Sequence, residues 1–318
     1  MVGKVTPNTM LSASRVPALL GHSKYETPND ILKSVINALQ DVVEPFKENE
    51  AMHWGNLLEV PLLLEASARL GLSHLKLDHP KPYFHFDAPI ACSLDGSGDG
   101  NGLVVTNNPD AGVYVIGQKS ITLDGFGVLE AKLTSSYPED CPAMSRGPLQ
   151  LQAQMDIYGA KWGAVCVLYQ GIELRIFLFA PHEETQALIR KKAFEFESKI
   201  THWSETGEVE WYDPANPEEF GHKWPGDPNL DSVDLGEWGA TLAERIVKAK
   251  QEIKVFEASI EECETELKEM LGNATLAHAE EFRISWPIRN YAAQPEKVVP
   301  AKPAHSMRQS TVTIKGPK

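Results

Sequence analysis

The sequence predicts a mixed α/β fold in which helices flank a central mixed sheet, followed by a long C-terminal helix and a small β extension. Three observations lead to this class. Apolar residues have helical spacing in the first seventy residues, short extended runs begin near residue 82, and a later block combines helices with two strands. The 318 residues, 42% hydrophobic and 23% charged, suffice for one large soluble core or two modest domains.

Helical spacing marks three segments near the N-terminus. Residues 11–21 carry a Ser cap and a Gly stop, residues 28–40 begin with Pro28, and residues 51–70 show the strongest pattern. Pro61 is expected to kink the third helix or to begin a new turn.

Extended and helical patterns alternate in the middle of the chain. Short apolar runs bounded by turn residues predict strands at 83–86, 90–93, 103–106, 113–117 and 126–132. A helix at 147–160 precedes a compact apolar run at 164–169, which suits a buried strand, and its hairpin partner at 173–180. A helix at 183–203 closes this block.

The C-terminal third has a different composition. Residues 204–236 are rich in Pro, Gly, Trp and acids and predict a long surface loop. Apolar residues then recur with alternating spacing of 4 and 3 on one helix seam: Leu242, Ile246, Ala249, Ile253, Phe256, Ile260, Cys263, Leu267 and Met270. Such a helix either lies on the body of its own chain or pairs with another helix or subunit. Strands are expected at 281–287 and 309–315, so the chain divides into a core at 1–203, the loop, and an arm at 237–318.

Charge and cysteine content restrict the class of protein. The formal net charge of −14 argues against a protein that coats nucleic acid, but it is compatible with an enzyme that has a local basic channel. No stretch approaches the roughly 20 apolar residues that span a bilayer, and residues 1–10 show no secretory signal. The four cysteines are scattered without zinc-site spacing, which favours reduced thiols in a cytoplasmic protein.

Two short motifs carry the candidate chemistry. Asp95 follows an apolar run and precedes a Gly-rich turn, whereas Glu130 and Lys132 are two residues apart in a predicted strand and therefore share one face. If the two strands are neighbours, two carboxylates and one ammonium meet. Carboxylates suit Mg²⁺, and a lysine can position a water and offset charge on phosphate oxygens. These residues therefore suit phosphodiester hydrolysis, although an exposed ion pair is the ordinary alternative.

Neighbouring helices supply further candidates. Gln154 and Tyr158 are four residues apart in the next helix, so both can face the lysine or a phosphate. Glu59 lies on the helix at 51–70, where a third acid could hold a metal-bound water, although a solvated helix position is the ordinary alternative.

The order of these motifs resembles that of the YqaJ-like viral recombinase group. This group comprises relatives of phage lambda exonuclease in the PD-(D/E)XK superfamily, which has a restriction-endonuclease-like core. The motifs are MHWGNLLE at 52–59, SLDG at 93–96, LEAK at 129–132 and QLQAQMDIYG at 150–159. SASRVPALLGHSKYETP at 12–28 is similar to the N-terminal motif of the family, and FRISW at 282–286 to its C-terminal extension.

The resemblance implies roles for the central residues. Asp95 and Glu130 would ligate Mg²⁺, which Mn²⁺ would replace, together with the main-chain carbonyl of Ala131. Glu59 would act through a metal-bound water, and Lys132 would orient the nucleophilic water.

It also implies contacts with DNA. Gln154 would support the site, with Gln152 and Tyr158 beside the substrate. Arg15, in a motif that includes Ser12, would engage a terminal 5′-phosphate, which an arginine fork can bind through two oxygens. The ordinary alternative for Arg15 is a surface helix arginine.

The implied function is a metal-dependent exonuclease that digests double-stranded DNA ends 5′ to 3′ in phage-type recombination by single-strand annealing. Its implied partners are a phage annealing protein and further copies of itself in a trimeric ring, in a bacterial cytoplasm if a phage encodes it. Alternatives are a structure-specific or single-strand endonuclease and a non-catalytic DNA-end-binding protein. Leu94 replaces the usual proline, and an insertion at 99–125 is expected to form an extra hairpin near the active site.

Overall fold

The computed structural model describes residues 6–42, 49–214 and 232–288. The chain divides into two compact units, Met1–Glu219 and Phe220–Lys318. The predicted strand at 309–315 and most of the predicted loop at 204–236 lie outside the described residues.

In its described residues, the first unit contains ten strands and five α-helices. The strands are β1 (His74–Lys76), β2 (Tyr83–Phe84), β3 (Ala91–Cys92), β4 (Gly96–Asp99), β5 (Leu103–Thr106), β6 (Val113–Val115), β7 (Ser120–Leu123), β8 (Phe126–Thr134), β9 (Gly163–Tyr169) and β10 (Glu173–Phe179). The helices are α1 (Val16–Leu19), which a 3-10 turn at Ala13–Arg15 precedes, α2 (Pro28–Leu39), α3 (Glu50–Leu70), α4 (Pro148–Tyr158) and α5 (Glu183–Thr206).

Six strands form one mixed sheet in the order β1-β4-β8-β9-β10-β6. The central pair β8 and β9 is parallel, and α4 connects them as the crossover that a parallel pair requires. β4 runs antiparallel to β8, and β10 antiparallel to β9. In the hairpin loop between β9 and β10, Gln170 and Gly171 both have positive φ, and the Ile172 amide donates to the Tyr169 carbonyl at 3.0 Å.

The two faces of the sheet carry separate hydrophobic cores. Neighbouring residues of β8 and β9 alternate between them, because side chains in a strand have a period of two. Val128 and Val165 belong to the core under α1, α2, α4 and α5, whereas Leu129 and Ala164 belong to the core under α3. Helices thus flank a central mixed sheet, which confirms the predicted fold class.

Local sequence accounts for the helix ends. Thr27 and Asp30 form a reciprocal capping box at the start of α2. Asn49 accepts a hydrogen bond from the Met52 amide at the start of α3, and Gly71 ends this helix in the left-handed conformation. No new helix begins at Pro61, which lies inside α3.

The Gly-rich stretch after Asp95 corrects one prediction. The sequence predicts a turn there, but Gly96–Asp99 is β4, which pairs with β8. A Cβ atom at Gly98 would lie 2.6 Å from Cδ1 of Leu72. The glycine therefore leaves room for Leu72, whose side chain would have to shift if a Cβ atom were added.

The insertion at 99–125 divides between two sheets. β5 and β7 form a separate antiparallel pair, but β6 lies between them in the chain, so they are not the single hairpin that the sequence predicts. β6 instead joins the main sheet beside β10, so β9 and β10 separate it from β8.

The second unit is an arm formed by α6 (Gly236–Leu271) and a hairpin of β11 (Leu276–Ala279) and β12 (Phe282–Ser285). α6 has 36 residues and none of them is buried. β12 confirms the strand expected within 281–287, whereas its partner β11 has no period-two apolar pattern that would predict it. Among the described residues, no helix is long and apolar enough to cross a membrane.

Candidate active site

The pairing of β4 with β8 brings the two predicted motifs together. Asp95 immediately precedes β4, and the pairing of Gly96 with Leu129 places it beside the centre of β8. The Ala131 amide donates a hydrogen bond of 2.9 Å to Oδ2 of Asp95. The carboxylate thus lies against the peptide bond that joins Glu130 to Ala131.

Glu130 is the centre of a polar network inside the protein. Only 1% of this residue is exposed. Its Oε1 accepts hydrogen bonds from Nζ of Lys132 and, at 2.7 Å, from Nε2 of Gln150. Its Oε2 accepts a bond of 2.6 Å from Nε2 of Gln154. A buried carboxylate needs such donors, because burial without them is strongly unfavourable.

Helix α4 supplies two of these donors from one face. Gln150 and Gln154 are four residues apart, and both contact Glu130. Gln154 is completely buried and also donates to the Ser93 carbonyl at 3.2 Å, so it connects Glu130 with the segment that carries Asp95. The same spacing rule would have identified Gln150, which the sequence analysis did not name.

Gln152 and Tyr158 do not reach Glu130. Gln152 donates to the Ala180 carbonyl and accepts from the His182 amide, both at 2.9 Å, and thus fastens α4 to the start of α5. Tyr158 packs edge to face on Tyr83 with ring centroids 5.1 Å apart. These contacts favour a structural role for both residues.

The charges of the site affect one another strongly. Burial raises the pKa of Asp95 well above its usual range, and Glu130 adds to this effect while Lys132 opposes it. Burial also raises the pKa of Glu59, with a further contribution from Glu130. Burial lowers the pKa of Lys132, but the nearby carboxylates Glu130 and Asp95 outweigh it and the net shift is upward. Three acids therefore surround one ammonium, and added positive charge would stabilise the ionised cluster.

These groups line a cleft of about 850 Å³. The charged and amide side chains of its lining are Asn56, Glu59, Asp78, Asp95, Glu130, Lys132 and Gln150, and Ser12 and Ser14 also line it. Arg15 is not among the described residues that line it. Nη2 of Arg15 donates instead to Oγ of Ser34 on α2 at 2.9 Å, and burial lowers the pKa of this arginine.

An apolar groove of about 660 Å³ adjoins the cleft and shares Ala51 and Leu133 with it. Trp54 and Leu58 of α3 line this groove. Trp54 is 48% exposed. An aromatic side chain at this place is a surface on which a base could stack.

Residues 6–140 match the family described as the YqaJ-like viral recombinase domain. The family that the motif order suggested is therefore confirmed. The matched YqaJ-like domain contains Glu59, Asp95, Glu130 and Lys132, and it ends before α4.

Solved structures similar to the chain include exonucleases. The alkaline exonuclease LHK-Exo from Laribacter hongkongensis has 15% identity and a TM-score of 0.45, and the alignment covers 63% of this chain and 94% of that chain. LHK-Exo in complex with dAMP gives the same values. A phage related exonuclease from Haemophilus somnus 129PT has 11% identity and a TM-score of 0.37, with coverage of 61% and 96%. No curated protein matches the chain by sequence.

The donor atoms of the YqaJ-like domain fit a hard divalent cation. Within the described residues, no group of three His, Cys, Asp or Glu side chains has a ligating arrangement. The oxygen atoms that could bind a cation are those of the Asp95 and Glu130 carboxylates, which line the same cleft. Mg²⁺ commonly binds through one or two carboxylates and keeps several waters. Oε1 of Gln154 is buried without a hydrogen-bond partner among the described residues, and it can accept from such a water.

Proposed function

We propose that this chain is a Mg²⁺-dependent exonuclease that degrades double-stranded DNA from its ends, 5′ to 3′, and leaves a 3′ strand for recombination by single-strand annealing. One observation carries the proposal. Asp95, Glu130 and Lys132, from two distant segments, converge in one cleft of the YqaJ-like domain.

The residues of the cleft have distinct tasks in this proposal. Mg²⁺, which Mn²⁺ would replace, supplies charge that polarises the scissile phosphate and favours ionisation of water. Asp95, Glu130 and the Ala131 carbonyl would hold it. Nζ of Lys132 is kept in place by Glu130 and by Oε1 of Gln150 at 3.2 Å. From there the ammonium can orient the attacking water and offset the charge that develops on the phosphate oxygens.

Glu59 and the apolar groove complete the path of the substrate in this proposal. Glu59 lines the same cleft from α3 and would bind a water of the cation. The adjoining groove can accept a base next to the scissile phosphate, with Trp54 as the stacking surface.

Recognition of the 5′ end is a separate part of the proposal. The resemblance assigns the terminal phosphate to Arg15, but the contact of Arg15 with Ser34 favours a structural role. Ser12 and Ser14 line the cleft and can donate to a phosphate. If Arg15 reads the phosphate, Arg15→Ala will lower the ratio of rates on 5′-phosphorylated and 5′-hydroxyl ends.

Assembly and partners are proposed from the resemblance. A ring of three copies would allow a protein of net charge −14 to hold DNA, because only the lumen would need to be basic. A phage single-strand annealing protein would receive the 3′ strand. Mass measurement in solution tests the ring, which a strictly monomeric chain would contradict.

The proposal is tested with linear duplex DNA labelled at its 5′ or 3′ ends and with covalently closed circular DNA, each incubated with the protein and Mg²⁺. The 5′ label is expected to be released first as mononucleotide, and the closed circle is expected to stay intact. Lys132→Ala should remove activity. The matched control is Lys161→Ala, since this lysine has a side chain that is 73% exposed and pairs with Asp124 away from the cleft.

The outcomes separate the alternatives. Cutting of the closed circle would contradict the exonuclease and favour an endonuclease. Early release of the 3′ label would reverse the direction. Undiminished activity of Lys132→Ala would remove the assigned site, and binding of ends without any cleavage would favour a DNA-end-binding protein.

A further inference from the structure

The arm helix α6 exposes a continuous apolar seam. Its seam positions fall into two sets, named a and d as in a coiled coil. The a positions are Ile246, Ile253, Ile260 and Leu267, and the d positions are Leu242, Ala249, Phe256, Cys263 and Met270. No α6 side chain is buried, and Ile253, Phe256 and Ile260 are more than half exposed. A seam of this length, on a helix of about 54 Å, is typical of a helix that pairs with another helix.

Charge is distributed unevenly along α6. Four of the six charged residues at 244–254 are basic, whereas six of the seven charged residues at 257–269 are acidic. A second copy that ran parallel would place basic half on basic half and acidic half on acidic half. A copy that ran in the opposite direction would place each basic half on an acidic half, which Coulomb attraction favours.

The residues that flank the seam give the same result at individual positions. Two positions flank the seam: the residue just before each a residue and the residue just after each d residue. In a parallel pair, a residue of the first kind lies beside a residue of the second kind on the other helix. Arg245 would then face Lys250 of the second copy, and Glu252 would face Glu257. Both contacts join like charges, so the flanks disfavour the parallel orientation.

An antiparallel pair brings opposite charges together when Ile253 lies opposite Phe256 of the second copy. In this alignment Arg245 lies beside Glu266 of the second copy, and Lys250 beside Glu257. The two-fold symmetry repeats both attractive contacts.

Other antiparallel alignments lose this agreement. A shift of one heptad in one direction brings Glu252 against Glu266 of the second copy. The same shift in the other direction brings Lys250 against Lys250 of the second copy. Only the alignment centred between Ile253 and Phe256 avoids like charges among these three.

The seam itself fits the same alignment. A parallel pair would stack Ala249 on Ala249 and Phe256 on Phe256, which alternates thin layers with thick ones. The antiparallel pair places Ala249 against Ile260 of the second copy and Ile246 against Cys263. Each of these two layers, like the central layer of Ile253 and Phe256, combines an isoleucine with a different residue, so their volumes are more even, as close packing requires.

We propose that α6 pairs with α6 of a second copy of this chain as an antiparallel coiled coil centred between Ile253 and Phe256. This pairing does not depend on the nuclease site. It doubles the mass of whatever assembly the first unit forms.

Disulfide formation in the full chain tests orientation and register together. The background is Cys141→Ser, which leaves Cys263 as the exposed cysteine among the described residues. Adding Ile246→Cys should produce disulfide-linked dimers under mild oxidation. Residues 246 and 263 of one helix are about 26 Å apart, too far for a disulfide within the chain. Ala258→Cys, on the opposite side of the helix, is the matched control for random collisions.

Charge reversal tests the pairing itself. Arg245→Glu with Lys250→Glu should weaken association roughly ten- to hundredfold, because four attractive contacts become repulsive, and should halve the mass at low micromolar concentration. Addition of Glu266→Arg and Glu257→Lys to the same chain should restore the association. Lys254→Glu changes a charge outside the seam and its flanks and should leave the mass unchanged.

Three results would overturn the proposal. Efficient cross-linking through Cys263 alone would show a parallel pair. Equal cross-linking of the Ile246→Cys and Ala258→Cys chains would show collision without register. If neither charge reversal nor dilution changes the mass of the protein in solution, the seam packs on its own chain or binds a different protein.

Discussion

The cleft and the arm depart from ordinary protein architecture in opposite ways. In the cleft, Glu130 is a buried carboxylate surrounded by Asp95, Lys132 and two glutamines. In the arm, large apolar residues such as Phe256 are 66% exposed. Ordinary proteins bury apolar groups and expose charges. Each region is therefore incomplete alone: excess negative charge in the cleft suits a cation, whereas exposed apolar surface in the arm suits another helix.

The largest expected effect is a difference in cleavage rate between a variant of the cleft and a variant of the arm. Glu130→Gln should lower the cleavage rate by about 10³-fold, because the substitution removes a metal-binding charge at the centre of the network. Arg245→Glu in the arm should change the rate per active site less than about threefold, because it lies outside the cleft. Single-turnover cleavage of a labelled duplex measures both. A comparable loss in the arm variant would show that the arm serves catalysis.

The next largest effect distinguishes Gln154 from Gln152 of α4 by their influence on cleavage and on stability. Gln154→Ala should lower the cleavage rate by about 10- to 100-fold, since it removes a donor that holds Glu130. Gln152→Ala should instead reduce the free energy of unfolding by about 1–3 kcal/mol, since it removes the partner of the partly buried Ala180 carbonyl and His182 amide, with cleavage by the folded fraction nearly unchanged. Urea unfolding and single-turnover rates give the two numbers. The reverse assignment would contradict the geometry described for α4.

A smaller effect concerns stability of the cleft without metal. Asp95→Asn should abolish cleavage yet stabilise the metal-free protein by about 1 kcal/mol, or roughly 2–4 °C in Tm. Asparagine keeps an acceptor for the Ala131 amide and removes repulsion from Glu130. Thermal unfolding with and without Mg²⁺ is the measurement. Mg²⁺ should raise the Tm of the wild type more than that of the variant, and equal increments would place the cation elsewhere.

The smallest effect is the reactivity of the cysteines. Burial, and then Glu130, raises the pKa of Cys92 to about 12, and burial also raises the pKa of Cys166. Since the thiolate reacts, a maleimide should modify only Cys141 and Cys263 rapidly in the native chain. Pairing of α6 should slow modification of Cys263, but not of Cys141, as the protein concentration rises. Mass spectrometry of the labelled peptides measures both rates.

The sequence by itself determined the features that depend on spacing within one element. The period of two along a strand placed Glu130 and Lys132 on one side of β8. The alternation of 4 and 3 defined the seam of α6, and the capping residues defined the start of α2. Backbone periodicity is local, so these features can be derived without knowing any neighbouring element.

The tertiary structure decided which faces meet. It made Gly96–Asp99 a strand because this segment pairs with β1 on one side and with β8 on the other. It directed Gln150 rather than Gln152 to Glu130, tied Arg15 to Ser34, and left Trp54 open to solvent beside the cleft. Spacing along a helix shows which residues share a face, but the partner of that face depends on packing between segments that are distant in the chain.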